Sequence, residues 1–126
     1  MKRVIGLGGI FFKCKDNESI KKWYGKHLGI PTEPWGAVFP WRRHDNPEDE
    51  TYSAWSTFKG DTEYFEPSKH DYMINYQVED LYALLETLRK EGVEVMDKTE
   101  DSEFGKFGWI IDPEGRKIEL WEPPKK

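Results

Sequence analysis

Apolar and polar positions alternate sharply at the start of the chain. Ile10, Phe12 and Cys14 interleave with Gly9, Phe11 and Lys13, so the spacing predicts a strand over Val4–Lys15. Asp16-Asn17 follows as a helix cap. Ile20, Trp23, Tyr24 and Leu28 then fall on one helical face, and Gly29 with Pro31 ends the helix. The same unit returns. Ile74, Tyr76 and Val78 alternate with Met73, Asn75 and Gln77, and Asp80 caps. Leu81, Leu84, Leu85 and Leu88 share a helical face that Gly92 closes. The two copies align at a constant offset of 64 residues, Ile10 with Ile74 and Asp16 with Asp80. That period is too long for a solenoid repeat. It predicts two halves of one domain, each a βα unit followed by further strands.

The remaining segments complete the plan. Strands are expected at Ala37–Trp41, Thr51–Phe58, Phe107–Ile111 and Lys117–Trp121. The last two are joined by the turn Asp112-Pro113-Glu114-Gly115. Arg42–Glu50 is a polar excursion, and Lys59–His70 is a loop punctuated by Tyr64 and Phe65. The whole chain, 1–126, is one domain, with module one at about 3–63 and module two at about 68–124.

Composition sharpens this picture. Charged residues are 34% and apolar residues 37%, but six Trp, six Tyr and seven Phe supply the core. Net charge is −5. Residues 1–63 carry ten basic and nine acidic groups, and residues 64–126 carry nine and fifteen. Such a balance argues against a nucleic-acid partner. No apolar run approaches the roughly 18 residues of a membrane span, and none near the N-terminus reads as a leader. The single Cys14 is consistent with a reducing, cytoplasmic setting.

The residues FGWIIDPEGRKIELWEP (107–123) resemble the closing hairpin of the vicinal oxygen chelate superfamily, which includes glyoxalase I, bleomycin-resistance proteins, fosfomycin-resistance proteins and extradiol dioxygenases. Asp16, Trp23-Tyr24 and Leu28-Gly29 are similar to its opening pattern, and residues 78–95 to the start of its second module. The resemblance implies an α+β fold of two βαβββ modules, a curved mixed sheet around a cavity, and in many members a homodimer. It also implies a divalent metal held by His, Glu or Gln at four strand positions. Here those positions fall on Gly9, Ser56, Met73 and Glu119. Glycine has no ligand atom, and a thioether suits hard divalent ions poorly. No metal or other cofactor is therefore expected, although a non-standard site joining Glu119 with His44 or His70 stays open. His27 reads as a helix-surface residue.

Strand parity sorts the expected cavity lining. Gly9, Phe11 and Lys13 share one face, as do Ala54, Ser56 and Phe58; Met73, Asn75 and Gln77; and Lys117, Glu119 and Trp121. The candidate ligand-binding residues are Phe11, Trp41, Arg42, Ser56, Asn75 and Trp121. Glu119 is the candidate acid or base, with hydrogen bonding to Tyr or Trp, or pairing with Arg or Lys, as its alternative role. Trp41 offers a stacking surface and Arg42 a clamp for an anion. Trp35, Trp55 and Trp109 read as core or interface, and Tyr64-Phe65 as either a lid or a core anchor. The function expected is binding of a small organic ligand, planar or cationic, without the usual metal. A lyase or isomerase using Glu119 is the alternative, and a ligand-free structural dimer a third.

Overall fold

The computed structural model describes all residues, Met1–Lys126. Nine elements follow in order: β1 (Val4–Cys14), α1 (Asn17–Leu28), β2 (Ala37–Arg42), β3 (Glu50–Lys59), β4 (Tyr72–Val78), α2 (Leu81–Lys90), β5 (Glu94–Ser102), β6 (Gly105–Ile111) and β7 (Lys117–Glu122). The strands form one seven-stranded curved sheet, ordered β2-β3-β1-β4-β7-β6-β5.

Local chemistry sets the helix ends. The Asp16 carboxylate accepts from the Ser19 N–H at 3.1 Å, and Gly29 closes α1 at φ 70°, a left-handed conformation that glycine adopts without strain. Asp80 accepts from the Ala83 N–H at 3.2 Å, and Glu122 reaches from β7 to accept the Leu81 N–H at 2.8 Å. Each helix follows its strand through a short connection and packs back onto the sheet.

The 64-residue repeat is visible as internal symmetry. β1 and β4 pair antiparallel, with Ile10 directly opposite Ile74. β3 lies parallel to β1, pairing Phe11 with Ser56, while β7 lies parallel to β4, pairing Asn75 with Glu119. Ser56 and Glu119 are thus equivalent positions. The modules differ in one respect. Module two lays down β4, β7, β6 and β5, but module one contributes three strands, and the counterpart of β5 shrinks to an isolated bridge between Glu33 and Gly36. Two prolines, Pro31 and Pro34, leave that segment too few N–H donors for a ladder.

The convex side is packed unevenly. Val78, Leu81, Leu84, Leu85 and Leu120 bury a compact core beneath α2. α1 is held more loosely, through Tyr24 set edge-on to Phe12 and Trp55. Lys21 is its buried residue, donating to the Pro34 carbonyl at 2.6 Å. The apolar face expected for α1 is therefore only partly used: Trp23 and Leu28 remain exposed, because the shortened first module offers no further strand to cover them.

Candidate functional site

The concave side of the sheet is divided in two. One half is filled from the β3–β4 loop. Phe65 is completely buried there against Met73 and Trp109, with Phe58 and Tyr64 beside it. The lysines of this half lie over aromatic faces: Lys13 Nζ is 5.6 Å from the Phe65 ring, and Lys117 Nζ is 5.3 Å from both the Tyr64 and Trp109 rings. Lys117 also donates to the Tyr64 carbonyl at 2.6 Å. Burial lowers the Lys117 pKa. Tyr64-Phe65 thus anchors in the core and shortens the cavity rather than standing free above it.

The other half is open. A cavity of about 660 Å³ lies there, walled by Phe11, Trp35, Val38, Tyr52, Phe107 and Trp121, with Phe104 at its mouth and Gly8, Ala54, Asn75 and Glu119 beneath. That size and its mainly apolar lining are typical of small-molecule sites. A smaller, polar concavity at Arg43, Glu79 and the C-terminal tail contains none of the candidate residues, while another of about 780 Å³, beside the cavity, is lined by Trp41, Arg42 and Trp121.

Glu119 is the one ionisable acid of the cavity, and it is 2% exposed. Three neutral donors hold it. The Tyr64 hydroxyl and Trp109 Nε1 (3.0 Å) donate to Oε2, and Asn75 Nδ2 donates to Oε1 at 2.6 Å. The geometry follows from register, since Trp109 and Asn75 are the two cross-strand neighbours of Glu119. Burial drives the Glu119 pKa upward, and it outweighs the three hydrogen bonds and the Lys117 charge that pull it down. The Tyr64 hydroxyl is pushed up as well, by burial and then by the Glu119 charge.

The sequence-derived candidates separate into two groups. Phe11, Asn75, Trp121 and Glu119 converge on the cavity. Trp41, Arg42 and Ser56 lie outside its lining. Trp41 packs on Gly6 and donates to Ser53 Oγ at 2.9 Å. Arg42 sits directly opposite Glu50 on β3 and pairs with it at 2.7 Å. Ser56 shares the concave-face parity, but its hydroxyl donates to the Trp35 carbonyl at 2.7 Å. The sequence reading omitted Gly8, Val38, Tyr52, Phe104 and Phe107 from the lining, and it treated Trp35 as core or interface. Of these, Phe107 was signalled by its cross-strand position opposite Trp121.

The four positions at which the resemblance implies metal ligands do not fit a divalent ion. A side chain at Gly9 would collide with the Ala54 carbonyl of the paired strand. Met73 is buried among Phe65 and Trp109. Ser56 is engaged elsewhere, and both oxygens of Glu119 receive hydrogen bonds from neutral side chains. No three His, Cys, Asp or Glu side chains converge anywhere in the chain. His27 stacks beside Trp23, His70 lies near Tyr72, and His44 is exposed in the β2–β3 loop.

No protein-family model matches the chain, and no curated protein matches it. Solved structures do. Methylmalonyl-CoA epimerase from Mycobacterium tuberculosis is similar at 21% identity and TM-score 0.65, over 97% of this chain and 90% of that one. The Streptomyces coelicolor methylmalonyl-CoA epimerase in complex with 2-nitronate-propionyl-CoA is similar at 16% identity and TM-score 0.70, over 97% and 99%. A glyoxalase/bleomycin resistance protein/dioxygenase superfamily member from Vibrio splendidus 12B01 is similar at 12% identity and TM-score 0.58, over 97% and 99%. The chain shares the fold of these proteins, a curved mixed sheet carrying two helices. At these identities the likeness concerns the fold.

Proposed function

We propose that this protein binds a small organic molecule in the open half of its concave face, without a divalent metal. One observation carries the reading: an apolar, aromatic-walled cavity of about 660 Å³ with one buried, fully positioned carboxyl group at its floor. Apolar walls supply affinity, and a few placed polar groups supply orientation. The test is calorimetric titration with 1-naphthalenemethanol, a neutral ring compound of suitable size. Saturable one-site binding is expected, abolished in Ala54→Phe, which fills the cavity. Binding that survives Ala54→Phe would sink the reading, as would failure of this alcohol and of its charged ring analogues to bind.

A metal-free site accords with the poor donor set. Elemental analysis after soaking with Zn²⁺, Ni²⁺, Mn²⁺ and Fe²⁺ should give less than about a tenth of an equivalent. Near-stoichiometric metal that is lost in Glu119→Gln would contradict it.

A second reading, proton transfer as in a lyase or isomerase, is favoured by the same carboxyl group. Its Oε1 accepts a single N–H, and burial raises its pKa, the direction that suits a carboxyl group to acid or base catalysis. Solvent deuterium appearing at a carbon of a bound ligand, and not in Glu119→Gln, would move this reading to the front. Association of two copies belongs to the same proposal. Sedimentation equilibrium of the intact protein would test it, and a single species of monomer mass would remove it.

A further inference from the structure

Hydrogen-bonding capacity at the cavity floor is one-sided. The donors nearest Glu119 are already committed, and the free ones, Trp35 Nε1 and the Tyr52 hydroxyl, belong to the walls. Asn75 Nδ2, Trp109 Nε1 and the Tyr64 hydroxyl all donate to Glu119, while Trp121 Nε1 donates to the Phe104 carbonyl at 2.7 Å. Acceptors remain. Asn75 Oδ1 is buried without any partner, and Glu119 Oε1 receives one bond although a carboxylate oxygen accommodates two. An unpaired buried acceptor is uncommon and costly.

Charge is one-sided too. Neither Lys nor Arg lines this cavity; Arg42, Lys125 and Lys126 line the adjoining concavity, beyond Tyr52 and Trp121. Lys13 and Lys117 share the concave face but lie beneath the Tyr64-Phe65 plug, over aromatic rings. A ligand presenting a carboxylate or phosphate at the floor would find no donor there, and it would face Glu119. The walls point the same way. Phe107 and Trp121 stack at 6.1 Å with an interplanar angle of 5°, and Tyr52 lies 5.3 Å from Trp121, so three aromatic rings run side by side. Aromatic faces carry negative electrostatic potential and attract cations.

We infer that the ligand is an organic cation, an ammonium group on a planar apolar body, with its charge set against Glu119 and its carbon against the aromatic wall. This rests on the cavity being the ligand site. The Glu119 charge is the pivot. The groups facing it are Tyr64, Asn75 and Trp109 as donors and Lys117 as the one nearby cation; Glu100 acts on Tyr64 and Lys117. A bound cation favours the carboxylate, so affinity should rise as Glu119 deprotonates.

A charge series on one ring tests the inference: 1-naphthylmethylammonium, 1-naphthalenemethanol and 1-naphthoate, titrated calorimetrically against the intact protein. The primary ammonium carries the N–H donors that the free acceptors call for, and it stays charged up to about pH 8. It should bind about tenfold tighter than the alcohol, with naphthoate weakest. Glu119→Gln should bring the cation-to-alcohol ratio to about one. Should that variant fail to fold, the wild-type ratio serves instead, and it should grow as pH rises above the ordinary carboxyl value and the buried carboxyl ionises. A cation that binds no tighter than the alcohol overturns the inference while leaving the cavity reading intact. Failure of all three to bind removes the cavity reading, and the inference with it.

Discussion

Glu119 determines how stability responds to pH. An unfolded glutamate titrates near its ordinary value of 4.5, while burial lets the folded carboxyl keep its proton to higher pH. Between those two values the native state binds the extra proton. Stability is therefore greatest below the ordinary value and declines as pH rises through the folded one. Asp16, Asp45, Asp49 and Asp112 act in the opposite sense. Hydrogen bonds and nearby cations hold them below their ordinary 3.8, so their contribution is lost on acidification, and solvent screening keeps it small. Thermal melting followed against pH should peak near about pH 4–5. Glu119→Gln should flatten the alkaline limb and leave the acid limb unchanged; an alkaline slope that persists in the variant would show that another group causes it. Gly9 gives a second residue-scale prediction. Its added Cβ would strike the Ala54 carbonyl, and the two backbones are register partners that cannot separate without losing β1–β3 bonds. Gly9→Ala should cost about 2 kcal/mol in urea unfolding, within the range for overpacking. An unchanged midpoint would mean the strands part more easily than their pairing implies.

At the scale of elements, the Tyr64-Phe65 plug decides how much of the concave face is core and how much is site. Phe65 is fully enclosed, and Lys117 ties down the neighbouring carbonyl. Phe65→Ala should cost about 3–5 kcal/mol and should speed proteolysis within residues 60–71. A small loss with unchanged cleavage would mean the loop is held mainly by Tyr64. The sequence left Tyr64-Phe65 open between a lid and a core anchor, because insertion depth depends on contacts with β4 and β6 that are remote in the chain. Helix caps were legible because they are local: Asp16 and Asp80 act within three residues. Strand faces were legible where alternation was clean, which is why Phe11, Asn75, Glu119 and Trp121 were placed together. Trp41 and Arg42 were not, because their partners, Gly6 and Glu50, are set by cross-strand register. Glu119 itself was read with Tyr or Trp as one possible partner, and Tyr64 and Trp109 fill that role.

For the whole molecule, the 64-residue repeat was the most informative pattern in the chain, since it foretold two halves of one domain, each a βα unit followed by further strands. It did not reveal that module one lacks a fourth strand, because a proline-bearing segment reads as a connection either way. The repeat carries a consequence for folding. The modules meet along β1 and β4, in the middle of a continuous sheet, so neither module has a free-standing core edge. The Tyr64-Phe65 plug follows β3 in the chain yet packs on Met73, Trp109 and Lys117 of module two, and Glu122 of β7 caps α2 in the same module. Module one alone would keep β1 paired to β3 but leave its β4-facing edge bare along a long strand, which is the kind of edge that aggregates. Separate fragments 1–63 and 64–126 should therefore each lack the cooperative melt of the intact chain, while an equimolar mixture should recover it, together with the near-ultraviolet circular dichroism of the buried Trp109 and Trp121. Independent cooperative melting of either fragment would show that the modules are domains in their own right and that the β1–β4 seam is a docking contact rather than the centre of a single sheet.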